Sequence, residues 1–168
     1  LLPLFTTKKG HFTTTVAHTI CSSDIINIFI RQKGSDNMRI AICDDEVSMV
    51  QILEEKIKKL LPDAVIDKYL SGDELIASGS KPDILFLDIQ MPGMDGMETA
   101  KVLRQDNENM ILIFVTAAEE YVFQAFDVGA FHYLVKPFSD EKLKEVVTKA
   151  VHNIKRSSRL QKDEKYIM

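Results

Sequence analysis

Apolar and polar positions alternate in a regular way from Met38 onward. Five short segments are rich in apolar residues, which predicts strands, and strands that are apolar throughout are expected to be buried on both faces. These segments are 39–43, 65–70, 84–87, 110–115 and 131–135. Apolar residues between and after them recur every three or four positions, which predicts amphipathic helices. The helices are expected around 50–61, 73–77, 97–103, 121–126 and 143–154.

This alternation of strand and helix predicts the fold class. Strands that are apolar throughout need helices on both faces, so we expect an α/β protein with a parallel sheet. Right-handed crossovers leave few topologies, and the leading one is a flavodoxin-like doubly wound sheet with strand order 2-1-3-4-5. About 120 residues are ample for the core of such a domain.

The chain divides into three parts by pattern. Residues 1–37 show no sustained period apart from a short apolar cluster at 25–30, and we expect an N-terminal extension that is non-native or poorly ordered. Translated upstream sequence, a genuine extension and a cloning remnant all remain open for it. The domain itself is expected over 38–155. Residues 156–168 turn polar and charged, so they are interpreted as a linker toward an output domain absent from this chain.

Composition narrows the class of protein. The chain is 45% apolar and 27% charged with a formal net charge of −4, which is typical of a globular protein and gives no basic footprint for nucleic acid. Two cysteines cannot form a disulfide framework. No apolar stretch approaches the roughly 18–20 residues needed to span a bilayer. We therefore expect a cytoplasmic protein without a membrane partner.

Polar residues follow four of the predicted strands directly. They are Asp44 and Asp45 after the first strand, Asp88 after the third, Thr116 after the fourth and Lys136 after the fifth. Parallel strands bring their carboxyl ends to one edge of the sheet, where ligands bind. Crowded carboxylates need compensation, and Mg²⁺ suits a shallow, partly wet site. A phosphoryl group would then fit between the metal and an ammonium group, with Asp88 central enough to act as the nucleophile.

Each of these residues also has an ordinary structural explanation. Asp44 and Asp45 are typical of residues that cap a following helix, and Thr116 is a common helix cap. Asp88 is compatible with a turn, and Lys136 with a solvated strand end. Because such residues follow four strands together, a shared functional site is favoured over four unrelated structural roles.

Residues 38–155 resemble the receiver domain of two-component response regulators, the CheY-like family. The matching stretches are MRIAICDDE, DILFLDIQMPGMDGMETAKVLR, ILIFVTA and GAFHYLVKPF. The resemblance implies that Asp88 is the phosphoacceptor. It also implies that Asp45 and Asp88 bind Mg²⁺ through their side chains, with the Gln90 main-chain oxygen as a third ligand and Asp44 acting largely through water.

The same resemblance assigns further roles. Lys136 would pair with the acidic pocket, Thr116 with the added phosphoryl group, and Tyr133 matches the aromatic switch position. The family's Lys-Pro bond is usually cis, but the sequence does not decide the isomer of Lys136–Pro137. A sensor histidine kinase would be the phosphoryl donor. The face built by the fourth helix, last strand and last helix would then change and alter homodimerisation.

The stretch TAAEEYVFQAFDVGAFHYLVKPF is especially similar to receivers that carry a LytTR-type DNA-binding domain. DNA binding would then belong to the output domain and not to this chain. Two alternatives stay open. A phosphohydrolase of the haloacid-dehalogenase type would need an Asp where Gln90 stands, and an unphosphorylated interaction module would not need the complete pocket. We expect a signalling domain with at most slow autodephosphorylation, and no enzyme.

Overall fold

The computed structural model describes residues 38–164, with side-chain surroundings as far as residue 157. The elements, in chain order, are β1 (Arg39–Cys43), α1 (Val47–Leu60), β2 (Val65–Tyr69), α2 (Gly72–Ala77), β3 (Ile84–Leu87), α3 (Gly96–Asp106), β4 (Ile111–Thr116), a 3₁₀ turn (Glu119–Tyr121), α4 (Val122–Asp127), β5 (His132–Val135) and α5 (Asp140–Glu164). The expectation for residues 1–37 lies outside the described residues, as does the end of the predicted linker, 165–168.

The five strands form one parallel sheet in the order β2-β1-β3-β4-β5. This arrangement confirms the predicted fold class and strand order. The central strands β3 and β4 are buried at every position, since both of their faces are covered by helices. Their apolar runs are therefore a direct consequence of where they lie in the sheet.

Two apolar layers cover the sheet, one on each face. Helices α1 and α5 pack on one face, where Leu53 and Val147 meet the alternate strand residue Phe86. Helices α2, α3 and α4 cover the other face, where Leu75 and Ala100 join the second cluster. Alternate residues along each strand thus contribute to opposite layers, as the two-residue period of a strand requires.

Helix ends follow the capping chemistry of the sequence. The Asp95 carboxylate accepts a hydrogen bond from the Glu98 amide at 2.8 Å at the start of α3. The Ser139 hydroxyl accepts one from the Lys142 amide at 3.1 Å at the start of α5, as predicted.

Helix α5 continues past the expected domain boundary to Glu164. Residues 156–164 are helical, so the transition from the domain to the predicted linker falls inside a helix. The change to a polar sequence there does not end the helix, because Arg, Lys, Gln and Glu retain good helix propensity. Within residues 38–164 no helix combines the length and hydropathy needed to cross a membrane.

Candidate functional site

The carboxyl edge of the sheet collects the residues that follow four strands. Main-chain hydrogen bonds continue beyond the strand ends and hold these residues in place. The Asp88 amide donates to the Cys43 oxygen at 2.9 Å, and the Lys136 amide donates to the Thr116 oxygen at 2.9 Å. The ends of β1, β3, β4 and β5 are therefore tied together in pairs, and the side chains that follow them are directed by the sheet itself.

Three carboxylates meet at this edge. Asp44, Asp45 and Asp88 each offer an oxygen, and the three oxygens lie within 4.8 Å of one another. Asp44 and Asp88 are only 1% and 5% exposed, while Asp45 is exposed to solvent. Hard carboxylate oxygens grouped in this way, with one side open to water, fit the ligand preference of Mg²⁺. The donor set is therefore suited to a divalent cation.

Lys136 bridges the two buried carboxylates. Its Nζ atom lies 2.6 Å from Asp44 Oδ2 and 2.8 Å from Asp88 Oδ2. Burial disfavours the charged ammonium, but the hydrogen bonds to both carboxylates outweigh it and raise the pKa of Lys136. Burial also raises the pKa of Asp44, and the Lys136 hydrogen bond offsets only part of that effect. The lysine thus supplies the positive charge that makes two adjacent buried acids tolerable.

Thr116 ends β4 and is fully buried. Its Oγ1 atom accepts a hydrogen bond from the Ala118 amide at 3.2 Å. The hydroxyl is therefore already engaged with the main chain of the segment leading into α4.

Tyr133 lies on β5 and is half-buried. Its hydroxyl donates a hydrogen bond to the Ala118 main-chain oxygen, and its ring centroid lies 6.1 Å from that of Phe114. Burial raises the pKa of Tyr133 to about 12, and the negative charges of Glu120 and Asp88 act in the same direction. Thr116 and Tyr133 therefore contact the amide and the carbonyl of one residue.

Gln90 follows Asp88 by two positions in an irregular loop. Its amide donates to Asp88 Oδ1 at 3.2 Å, and its side chain is exposed. The Lys136–Pro137 peptide bond, whose isomer the sequence left open, is cis, which is the usual isomer in the family. The structure thus brings together Asp44, Asp45, Asp88 and Lys136, with Gln90 beside them and Thr116 at the end of β4.

Two residues that contact the site were not among those predicted from the sequence. Ala118 connects Thr116 to Tyr133 through its main chain, and Gly96 packs against the backbone of Asp88. Neither has a functional group in its side chain, so residue type alone carried no signal. The position of Gly96 inside the stretch MPGMDG, directly before a predicted helix, was the available hint.

Comparison with known proteins identifies the family. The family model described as "Response regulator receiver domain" matches residues 40–148, and the chain belongs to this family. Among curated relatives, the sensory transduction protein LytT of Oceanobacillus iheyensis is 46% identical over 78 residues, covering 44% of this chain and 32% of that protein. The positive alginate biosynthesis regulatory protein of Pseudomonas aeruginosa is 37% identical over 116 residues, covering 67% of this chain and 47% of that protein.

The chain thus spans about half, or less, of the length of these relatives. The match to LytT supports the expected likeness to receivers of the LytTR class.

Solved structures agree with this assignment. The response regulator TrrA of Thermotoga maritima, in complex with Mg²⁺ and BeF, is 31% identical with a TM-score of 0.61, covering 67% of this chain and 98% of that one. The response regulatory domain of mrkE from Klebsiella pneumoniae is 25% identical with a TM-score of 0.64, covering 71% and 99%. The chain is therefore a receiver domain of two-component response regulators, which is a signalling domain.

Proposed function

We propose that Asp88 accepts a phosphoryl group from the phosphohistidine of a sensor histidine kinase. The observation that carries this proposal is the position of Asp88 between an ammonium group and two further carboxylates: Lys136 Nζ is 2.8 Å from Asp88 Oδ2, and Asp44 and Asp45 offer oxygens within 4.8 Å. A structural ion pair between Asp88 and Lys136 would be complete without the neighbouring carboxylates of Asp44 and Asp45.

The proposed step is a phosphoryl transfer between two proteins. A carboxylate oxygen of Asp88 forms a bond to phosphorus while the phosphorus–nitrogen bond of the donor histidine breaks, and the nitrogen keeps the electron pair. The result is an acyl phosphate on Asp88 and a free imidazole on the kinase. Lys136, which donates to Asp88 Oδ2, holds the carboxylate in position and neutralises negative charge.

Mg²⁺ is the proposed cofactor. Asp45 and Asp88 would hold it through their side chains, the Gln90 main-chain oxygen would be a third ligand, and Asp44 would act through water. When bound, the metal supplies positive charge that stabilises the transferring phosphoryl oxygens. The relative TrrA is described in complex with Mg²⁺ and BeF, which supports this choice of metal.

Phosphorylation adds roughly −1.5 to −2 charges at the site. Thr116 can then donate a hydrogen bond from its hydroxyl to a phosphoryl oxygen, and that movement would withdraw Thr116 Oγ1 from the Ala118 amide. Tyr133, which contacts the carbonyl of Ala118, would respond by packing inward. The expected result is a change in the face formed by α4, β5 and α5.

This face is suited to homodimerisation that depends on phosphorylation. Phe123 and Phe126 on α4 are 83% and 72% exposed, which is unusual for large apolar side chains. Phe126 also lines a groove of about 260 Å³ between α4 and β5, together with Phe131 and Tyr133. A second copy of the domain would cover this apolar surface.

The output of the full-length protein is proposed to be DNA binding. The likeness to LytT and the partial coverage of the relatives support a LytTR-type domain outside this chain, with the receiver controlling it from the cytoplasm. The domain would act as a phosphoacceptor and would lose its phosphoryl group only slowly by itself.

Incubation with acetyl phosphate and Mg²⁺ tests the central step. Intact-mass analysis is expected to show one added phosphoryl group in the wild type and none in Asp88→Asn. An adduct that survives Asp88→Asn would contradict the assignment. Continuous rapid release of phosphate would instead indicate a phosphohydrolase.

A further inference from the structure

The first residue of α3 lies against the backbone of the proposed nucleophile. Gly96 is buried, and a Cβ atom added to it would lie 2.0 Å from the Asp88 main-chain oxygen and 2.8 Å from both the Asp88 carbonyl carbon and Ile89 Cα. These are main-chain atoms of a segment held by the sheet, so they cannot swing away as a flexible side chain could. Only glycine allows this approach.

Gly96 also closes the loop that follows Asp88. Its amide donates to the Ile89 oxygen at 2.9 Å, and the Met91 amide donates to the same oxygen at 3.1 Å. One carbonyl therefore ties together the beginning and the end of the loop over residues 89–96. The Gln90 amide is held as well, by Asp88 Oδ1 at 3.2 Å.

These contacts determine how the Gln90 carbonyl is directed. The N–H and C=O groups of a planar trans peptide point in opposite directions. Because the Met91 N–H points toward the Ile89 oxygen, the Gln90 C=O of the same peptide points away from it. The direction of the Gln90 oxygen thus depends on the Ile89 carbonyl, which Gly96 holds.

We propose that Gly96 is a positioning residue for the metal site. By allowing α3 to begin in contact with the Asp88–Ile89 backbone, it holds the Ile89 carbonyl and so orients the Gln90 oxygen toward a divalent cation. The inference rests on the proposed function, because Gln90 is a metal ligand only within it. It goes further by assigning a role to a residue that touches neither the metal nor the phosphoryl group.

A pair of Gly→Ala variants separates positioning from general stability. Gly96→Ala introduces the clash, whereas Gly79→Ala is the matched control: Gly79 has φ +61° and nothing within 4 Å of an added Cβ. Both variants are destabilised, the second by backbone strain far from the site. The dissociation constant for Mg²⁺, measured by titration calorimetry, is expected to rise about 10-fold or more in Gly96→Ala and to stay unchanged in Gly79→Ala.

A second measurement needs no metal. Hydrogen exchange at the Met91 amide, which depends on the Ile89 carbonyl, is expected to speed up in Gly96→Ala more than exchange in the core strand β3. Replacing the Asp95–Gly96 peptide with an ester removes the Gly96 N–H without adding volume, so it applies even if Gly96→Ala does not fold. The ester is expected to weaken Mg²⁺ binding in the same direction.

The outcomes distinguish this inference from the proposed function. Wild-type protein that fails to bind Mg²⁺ would overturn both. Wild-type protein that binds Mg²⁺, with Gly96→Ala and the ester variant binding it equally well, would overturn the positioning role alone. A Mg²⁺ affinity that falls equally in Gly79→Ala would also overturn it, since general destabilisation would then suffice.

Discussion

Tyr133 donates its hydroxyl hydrogen to the main-chain oxygen of Ala118. The amide of the same alanine donates to Thr116 Oγ1 at 3.2 Å, so Thr116 and Tyr133 hold the two polar main-chain groups of one residue. Ala118 begins the segment that leads through the 3₁₀ turn into α4. A change at Thr116 and a change at Tyr133 therefore have a common physical route, and that route leads to the proposed dimerisation face.

Removing the Thr116 hydroxyl should uncouple the site from α4. In Thr116→Val, Asp88 is expected to remain able to accept a phosphoryl group, more slowly, while the increase in dimerisation on phosphorylation is lost. Analytical ultracentrifugation with and without acetyl phosphate measures the effect. Thr116→Ser keeps the hydroxyl and is the control that should respond. An intact dimerisation response in Thr116→Val would contradict the coupling.

Removing the Lys136 ammonium group should destabilise the fold, because the two buried carboxylates of Asp44 and Asp88 then repel each other. Lys136→Met is expected to lower the free energy of unfolding by about 3 kcal/mol, because Asp44 and Asp88 would be left without their partner. Urea denaturation measures the loss, and added Mg²⁺ should restore part of it. Lys142→Met is the control, since Lys142 pairs with Glu145 on the exposed surface of α5. Equal stability of the two variants would show that Lys136 does not compensate the acids.

Mg²⁺ should stabilise the folded protein, and the stabilisation should increase with the affinity of the site for the metal. Asp45→Ala is expected to abolish the rise in melting temperature that Mg²⁺ produces and to prevent phosphorylation by acetyl phosphate. Chelation of the metal should do the same in the wild type. Asp106→Ala removes an exposed acid at the end of α3 and should leave both responses intact. Unchanged Mg²⁺ affinity in Asp45→Ala would remove this residue from the metal site.

Phe126 is expected to anchor the dimer. Phe126→Ser should leave phosphorylation of Asp88 unchanged and weaken dimerisation of the phosphorylated protein at least about tenfold, as loss of an apolar anchor at an interface typically does. Val65→Ser is the control, because Val65 is also exposed and apolar but lies on the opposite edge strand β2. Size-exclusion chromatography over a concentration series distinguishes the two. Equal weakening by both would exclude α4 as the specific contact.

High pH should destabilise the fold through Tyr133. The pKa of its phenol rises from 10.0 to about 12, first because burial favours the neutral form and then because nearby acids do. An unfolded chain loses this proton near pH 10 while the folded protein keeps it. The contribution of Tyr133 to the free energy of unfolding is therefore fully present below pH 10 and is lost as the pH rises from 10 to about 12.

Ultraviolet absorbance of the phenolate measures this titration. The wild type should show a tyrosine that ionises with a pKa of about 12, and Tyr133→Phe should lack it. The decline in stability above pH 10 should be shallower in Tyr133→Phe. Native protein in which every tyrosine is ionised by pH 11 would contradict the expectation.

Much of this protein could be predicted from the order of its residues. Burial of β3 and β4 on both faces requires apolar residues at every position, so those strands are visible as apolar runs. A parallel sheet gathers the carboxyl ends of its strands, so Asp44, Asp88 and Lys136 could be expected at one edge. These features depend on local periodicity and on a general rule of chain topology.

The tertiary structure decided what local pattern does not encode. The helical form of 156–164 was not anticipated, because a polar sequence does not distinguish an exposed helix from an irregular linker. The resemblance implied that Lys136 pairs with the acidic pocket, but its bridge to both buried acids needed the folded structure, as did the contact of Gly96 with the Asp88 backbone. So did the two hydrogen bonds at Ala118. Contacts between main-chain groups of distant segments leave little trace in residue type, since every residue carries the same amide and carbonyl; only the packing of the folded chain selects which of them meet.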